Sequence, residues 1–137
     1  LFRSRKTVLN EYSLFHQGAQ RVSTHFRIKE FAQKDGRCDK ILIDTELVKV
    51  LEDVREHFNT PVIITSGYRT PEYNAKIGGV KNSQHTKGTA ADIRVKGVPA
   101  SKVQQYLKNK YQNKYGIGSY WTFTHIDTRE KKARWKK

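Results

Sequence analysis

The stretch from Thr45 to Phe58 constrains this chain most. Leu47, Leu51, Val54 and Phe58 recur at helical spacing, so the segment is predicted to be an amphipathic helix with that face in the core. Asp44 stands where an N-cap belongs, and Asn59-Thr60-Pro61 breaks the pattern. The apolar run Val62-Ile63-Ile64 is too short for a helix and reads as a central strand. Ser66 to Pro71 reads as a turn, and Ile77 to Gly88 as a Gly- and Asn-rich loop. Ala90 to Val95 reads as a strand with Ala91, Ile93 and Val95 on one face and Asp92 on the other. Ser101 to Tyr111 is a second amphipathic helix with Val103 and Leu107 facing in, and Gly116 to Tyr120 with Thr122 to Thr128 reads as a closing hairpin.

Ahead of these elements, Ser23 or Thr24 is placed to cap a short helix through Phe26 and Phe31 to Lys34, ended by Asp35-Gly36. Leu1 to Val22 are basic and weakly periodic, and read as an arm or peripheral helix on a domain that occupies residues 23–137. Helices come first and strands mostly later. The expected class is therefore α+β: a small single domain with a largely antiparallel sheet flanked by helices.

A chain of 137 residues fits one domain and can bury a core without disulfides. Its one cysteine, Cys38, excludes an intrachain disulfide. No apolar run is long enough to span a membrane, and the opening residues Leu1 to Lys6 are not followed by the apolar region of a signal peptide. The net charge of +14, from 27 basic and 13 acidic residues, implies an anionic partner or surface. Charge alone does not choose between nucleic acid, wall polymers and membranes, and much of it is expected on a solvated face. The interleaved aromatic and basic motifs of RNA-binding modules are missing, so no nucleic-acid partner is expected. The expected state is a monomer.

The chemistry-bearing residues fall in two segments. In Ser83-Gln84-His85-Thr86-Lys87-Gly88-Thr89-Ala90-Ala91-Asp92, His85 lies on a loop and Asp92 on the polar face of the strand after it. In Phe123-Thr124-His125-Ile126-Asp127, His125 and Asp127 share a strand face. If the two strands pair, His85, Asp92, His125 and Asp127 converge. Two imidazoles and a carboxylate make a catalytic zinc set with a fourth position left for water. Asp127 is then the candidate general base by proximity; its alternative is a salt bridge to Arg129 or Arg134. His16, His25 and His57 read as ordinary surface histidines.

The pattern Ser83-x-His85-x-x-Gly88-x-Ala90-x-Asp92 followed by His125-x-Asp127 resembles the M15 zinc peptidases, the group of D-Ala-D-Ala carboxypeptidases and phage endolysins. Ile64 to Pro71 with Asn74 and Gly78-Gly79 looks like the family's segment before the first zinc histidine. Phe123 to Arg129, then Arg134-Trp135, looks like the C-terminal signature of its small single-domain members. The resemblance runs from about His25 to Trp135. It implies a Hedgehog/D-Ala-D-Ala peptidase-like α+β fold, one zinc ion on His85, Asp92 and His125, and cleavage of peptide bonds in peptidoglycan stems. It also implies a role for Arg69 in binding a substrate carboxylate or the developing oxyanion, the alternative being a structural bond to loop carbonyls. Ser83, Gln84 and Tyr68 are candidate substrate contacts, and Gln84 has the alternative of shaping the loop.

One departure stands out. Several relatives carry Glu or Asp three residues before the last zinc histidine, where this chain has Thr122; the carboxylate sits instead at Asp127. Exchanging the roles of Asp92 and Asp127 is opposed by the order of the motifs. The function expected is a zinc-dependent hydrolase of peptidoglycan stem peptides acting at the bacterial cell wall, whether secreted, periplasmic or phage-delivered. An endopeptidase or lysin is favoured over a D-Ala-D-Ala carboxypeptidase, and a non-catalytic wall- or nucleic-acid-binding domain on the same fold is the alternative of a different class. The basic balance suits anionic cell-wall polymers as partners.

Overall fold

The computed structural model describes residues 8–137. In chain order the elements are β1 (Leu9–Ser13), α1 (Leu14–Gln17), β2 (Lys40–Asp44), α2 (Thr45–Phe58), β3 (Val62–Ser66), α3 (Pro71–Lys76), β4 (Ala90–Val95), α4 (Ala100–Lys110), β5 (Gly116–Ser119), β6 (Thr124–Asp127) and β7 (Ala133–Lys136). β1 and β2 form an antiparallel ribbon, and the other five strands form one sheet in the order β3-β4-β6-β5-β7. Every neighbouring pair in that sheet is antiparallel except β5 and β7. The fold is α+β.

α2 forms where its pattern places it. Asp44 caps it by accepting from the Glu46 amide, and Asn59 ends it in the left-handed conformation at φ 52°. Leu47, Val50, Leu51 and Val54 are buried, and with Val103 and Leu107 of α4 they belong to one core with Ile64, Ile93, Ile117 and Ile126 of the sheet. Strand alternation then turns Asp92, His125 and Asp127 to the opposite face. The sheet therefore has an apolar side under two helices and a side that carries the polar constellation.

The structure departs from the sequence reading at several points. Leu9 to Ser13 is a strand paired with β2, in place of an arm or helix; Leu1 to Thr7 lie outside the described residues. The helix expected over residues 23–34 shrinks to a single 3-10 turn, Ile28–Phe31. The reason is Glu52 of α2, whose carboxylate accepts from the Ser23 hydroxyl and the His25 amide, so the capping hydroxyl is spent on a tertiary contact. β3 is an outer strand: Val62 and Ile64 face the core, while Ile63 is half exposed. α3 begins at Pro71, in the favoured first-turn position, with the Thr70 side chain as its cap. β7 is a further strand that the reading did not include.

Candidate metal centre and active site

Asp92 and His125 are direct cross-strand partners on β4 and β6. His85 reaches them from a 3-10 turn, Gln84–Lys87, that precedes β4. The Ser83 hydroxyl caps this turn by accepting the His85 amide at 3.1 Å. Gly88 closes it at φ 76°, where a Cβ would lie 2.7 Å from the Leu42 carbonyl oxygen, so only glycine fits. The Gly88 carbonyl in turn accepts the Asp44 amide at 2.9 Å, which ties the turn to the start of α2.

His85, Asp92 and His125 are all buried, and one donor atom from each lies within 4.8 Å of the others. His85 Nε2 is 3.3 Å and His125 Nδ1 3.0 Å from the same oxygen, Asp92 Oδ1. The outer nitrogen of each ring is fixed from behind. His85 Nδ1 is 2.8 Å from the Gly67 carbonyl oxygen, which can only accept, so Nδ1 carries a proton and Nε2 is the atom aimed at Asp92. His125 Nε2 is 2.7 Å from Asp127 Oδ2. Two oriented imidazoles and one carboxylate around a common point fit a zinc ion, with each ring braced by an outer acceptor as such sites require.

Asp127 itself lies outside the cleft. It is fully buried behind the His125 ring, where it also accepts Arg129 Nε at 2.8 Å, Arg129 Nη2 at 2.7 Å and the Arg129 amide at 3.1 Å. Burial pushes its carboxyl up, but the bonds from Arg129 and His125 outweigh this and hold it well below the usual carboxylate range. Burial also opposes ionisation of Asp92, and the two histidines overcome it in the same way. For His125, burial pushes the imidazole down while Asp127 and Asp92 raise it by more. Of the two salt-bridge alternatives for Asp127, the partner is Arg129.

A cleft of about 600 Å³ opens over His85, Asp92 and His125. Arg69 lines it, held by Nε–H to the Ser66 hydroxyl (3.1 Å) and Nη1–H to Asn74 Oδ1 (3.0 Å), with Nη2 at 3.8 Å from Asp92 Oδ2. Its anchors are side chains, and the loop-carbonyl alternative is not what holds it. Ser83 and Gln84 also line the cleft, while Gln84 Oε1 accepts the Thr89 hydroxyl at 2.7 Å and so shapes the loop as well. Tyr68 does not reach it: its side chain packs into the hydrophobic core at 4 % exposure, its amide bonded to the Phe31 carbonyl. Thr122 lies in the exposed β5–β6 turn.

Sequence reasoning left out the cleft wall made by Trp135, Tyr120, Arg129 and Lys137. Trp135 lies beside His125, ring centroids 5.0 Å apart, with the Arg129 guanidinium over its indole. Its Nε1–H donates to the Tyr120 hydroxyl oxygen at 3.2 Å, which leaves the Tyr120 proton free to donate elsewhere. Gly118 makes room for it, since a Cβ there would sit 2.5 Å from Trp135 Nε1. The signal available was the alternation of residues 133–136 beside a Gly-x-Gly strand. His25 pairs with Glu52, His57 stacks on Tyr106 and His16 is exposed, all away from the site.

The chain was compared with known proteins. Residues 24–127 match the family described as Peptidase M15. The probable peptidoglycan L,D-endopeptidase MepK of Haemophilus influenzae is 30 % identical over 110 residues, covering 72 % of this chain and 58 % of that protein. The peptidoglycan L,D-endopeptidase MepK of Escherichia coli K12 is 32 % identical over 103 residues, covering 69 % of this chain and 57 % of the relative. This chain thus spans less than three fifths of the length of these relatives. No solved structure matches it. The two histidines, the aspartate and the strands that bring them together all lie inside or at the edge of the matched segment, and the chain belongs to the peptidase M15 family.

Proposed function

We propose that this domain is a zinc-dependent endopeptidase that hydrolyses a bond within peptidoglycan stem peptides. The observation that carries the reading is the convergence of His85, Asp92 and His125 at the floor of a cleft whose wall presents Arg69. His85, Asp92 and His125 would hold a zinc ion, which would supply a Lewis acid to polarise the scissile carbonyl and acidify water. The protein's own groups do the rest. Gly67 and Asp127 hold the outer protons of His85 and His125, so both rings keep their donor atoms aimed at one point. Arg69 faces the cleft with a rigid multi-donor cation, suited to a substrate carboxylate or to the oxyanion that forms on attack. The Tyr120 hydroxyl adds a second donor to the cleft lining.

In this proposal Asp127 is the orienting partner of His125 and not the general base, because it has no face on the cleft and its oxygens are engaged. Arg69, Arg129 and Lys137 are set against Asp92 as the carboxylate of the cleft lining, a balance that attracts anionic peptides. The activity for which the relatives are named, L,D-endopeptidase, supports cleavage inside the stem over trimming of its end. The test is a mass-spectrometric digest of purified peptidoglycan with and without chelator. Internal stem fragments released only in the presence of metal are expected. Loss of terminal alanine alone would replace the endopeptidase with a carboxypeptidase, and no metal-dependent product would remove the reading.

A further inference from the structure

One feature next in sequence to the cleft wall is left without a role by the peptide chemistry. Trp121, in the turn between β5 and β6, is 93 % exposed. An isolated surface apolar residue is ordinary, but the turn that carries this one is fastened from several sides. The Tyr120 and Phe123 rings stack on each other at 4.3 Å and 13°. Buried Gln104 of α4 donates from one amide nitrogen to both the Tyr120 and Phe123 carbonyls, at 3.0 and 3.2 Å. The Tyr120 amide bonds the Phe123 carbonyl across the turn, and Trp135 holds the Tyr120 hydroxyl. A bare indole is thus presented on a rigid mount, and the residue before it is a wall of the cleft.

We propose that Trp121 is a stacking platform for a pyranose ring of the glycan strand from which the stem peptide hangs. This inference rests on the peptidase reading above. A stem peptide lying in the cleft brings its sugar chain to the rim. A pyranose offers a face of C–H groups, slightly positive, to the negative face of the indole, while its hydroxyls stay in water. Because the turn is already ordered and an indole has few rotors, little freedom is lost on binding. The neighbouring aromatics argue for a sugar over a lipid surface: Tyr120 and Phe123 are turned onto each other, so the turn presents a single ring and not the broad apolar patch that inserts into a bilayer.

The test compares Trp121→Ala and Trp121→Phe with the wild type on two substrates, a muropeptide that keeps its amino-sugar disaccharide and the same stem peptide without sugar. For Trp121→Ala, KM on the muropeptide is expected to rise about three- to tenfold with kcat unchanged, as for the loss of one stacking contact. The sugar-free peptide should be cleaved as by the wild type, and Trp121→Phe should recover part of the loss. In parallel, retention on peptide-stripped glycan strands, which needs no turnover, should fall for the alanine variant. Equal losses on both substrates, or none on either with unchanged retention, overturn the proposal. If the wild type cleaves neither substrate, the peptidase reading fails and the glycan-retention arm alone decides this one. Loss of binding to phosphatidylglycerol vesicles with glycan retention intact would make the indole a membrane anchor and also overturn it.

Discussion

Asp127→Asn separates two roles that a carboxylate next to a proposed metal ligand can play. The side chain is fully buried and accepts four hydrogen bonds, one from His125 Nε2 and three from Arg129. Asparagine keeps the volume but replaces one acceptor oxygen by an amide donor and removes the charge, so either the imidazole or the guanidinium loses its partner. Removing such an outer bond typically weakens metal binding about 10- to 100-fold, or about 1.4–2.7 kcal/mol. A general base would behave differently: turnover would fall about 10²- to 10⁴-fold with metal affinity untouched. The assay is zinc affinity by competition with a chromophoric chelator, followed by kcat at saturating zinc. We expect affinity to drop by at least about tenfold and most of the turnover to return once zinc is saturating. Melting curves recorded in chelator report the stability lost with the Asp127–Arg129 pair and keep it apart from the metal effect. Native zinc affinity combined with abolished turnover would refute the orienting role and restore Asp127 as the base.

Full removal of metal by chelation should abolish hydrolysis, with zinc restoring it; hydrolysis unchanged in metal-free protein would exclude the ligand set His85, Asp92 and His125. Gly118→Ala should force the Trp135 indole outward and destabilise the domain by about 1–3 kcal/mol, read by denaturant melts and tryptophan emission. Glu52 is nudged up by burial and held below its ordinary value by Ser23 and His25, a net lowering in the fold. Its contribution is therefore fully present above the ordinary glutamate value and is lost as pH falls through the lower folded value. Glu52→Gln should accordingly flatten the acid side of the stability–pH profile below about pH 4.5 while leaving the neutral side parallel to the wild type.

The long helix, the Ala90 to Val95 strand and the β5–β6 hairpin were legible because each is fixed by local signals: a capped apolar stripe or a period-two alternation. The same alternation placed Asp92 and His125 on one face, and their pairing on adjacent strands made the cluster. What was not legible depends on distant partners. No local pattern says that Glu52 will capture Ser23 and undo a helix, or that Val62 to Ser66 will lie at the sheet's edge. Asp127 looked like a base because strand periodicity gives a side chain's face but not its depth. Its depth is set by Arg129 and by the close approach of Gly116, where any Cβ would meet the carboxylate. Tyr68 was misplaced for a similar reason: its neighbours Gly67 and Arg69 belong to the site, while its own ring fills the core.

Asp44 has a consequence beyond capping a helix. It caps α2, its amide holds the Gly88 carbonyl behind the His85 turn, and its carboxylate accepts the hydroxyl of Thr128, one residue past Asp127. Both histidine-bearing segments are therefore indexed to the same point at the start of the core helix. A loss-of-function screen on this domain would score Asp44 alongside the proposed metal ligands although it is fully buried and lies outside the cleft lining. Transplanting the His85 turn and the two strands onto another scaffold would fail unless this remote carboxylate, or an equivalent mooring, travelled with them.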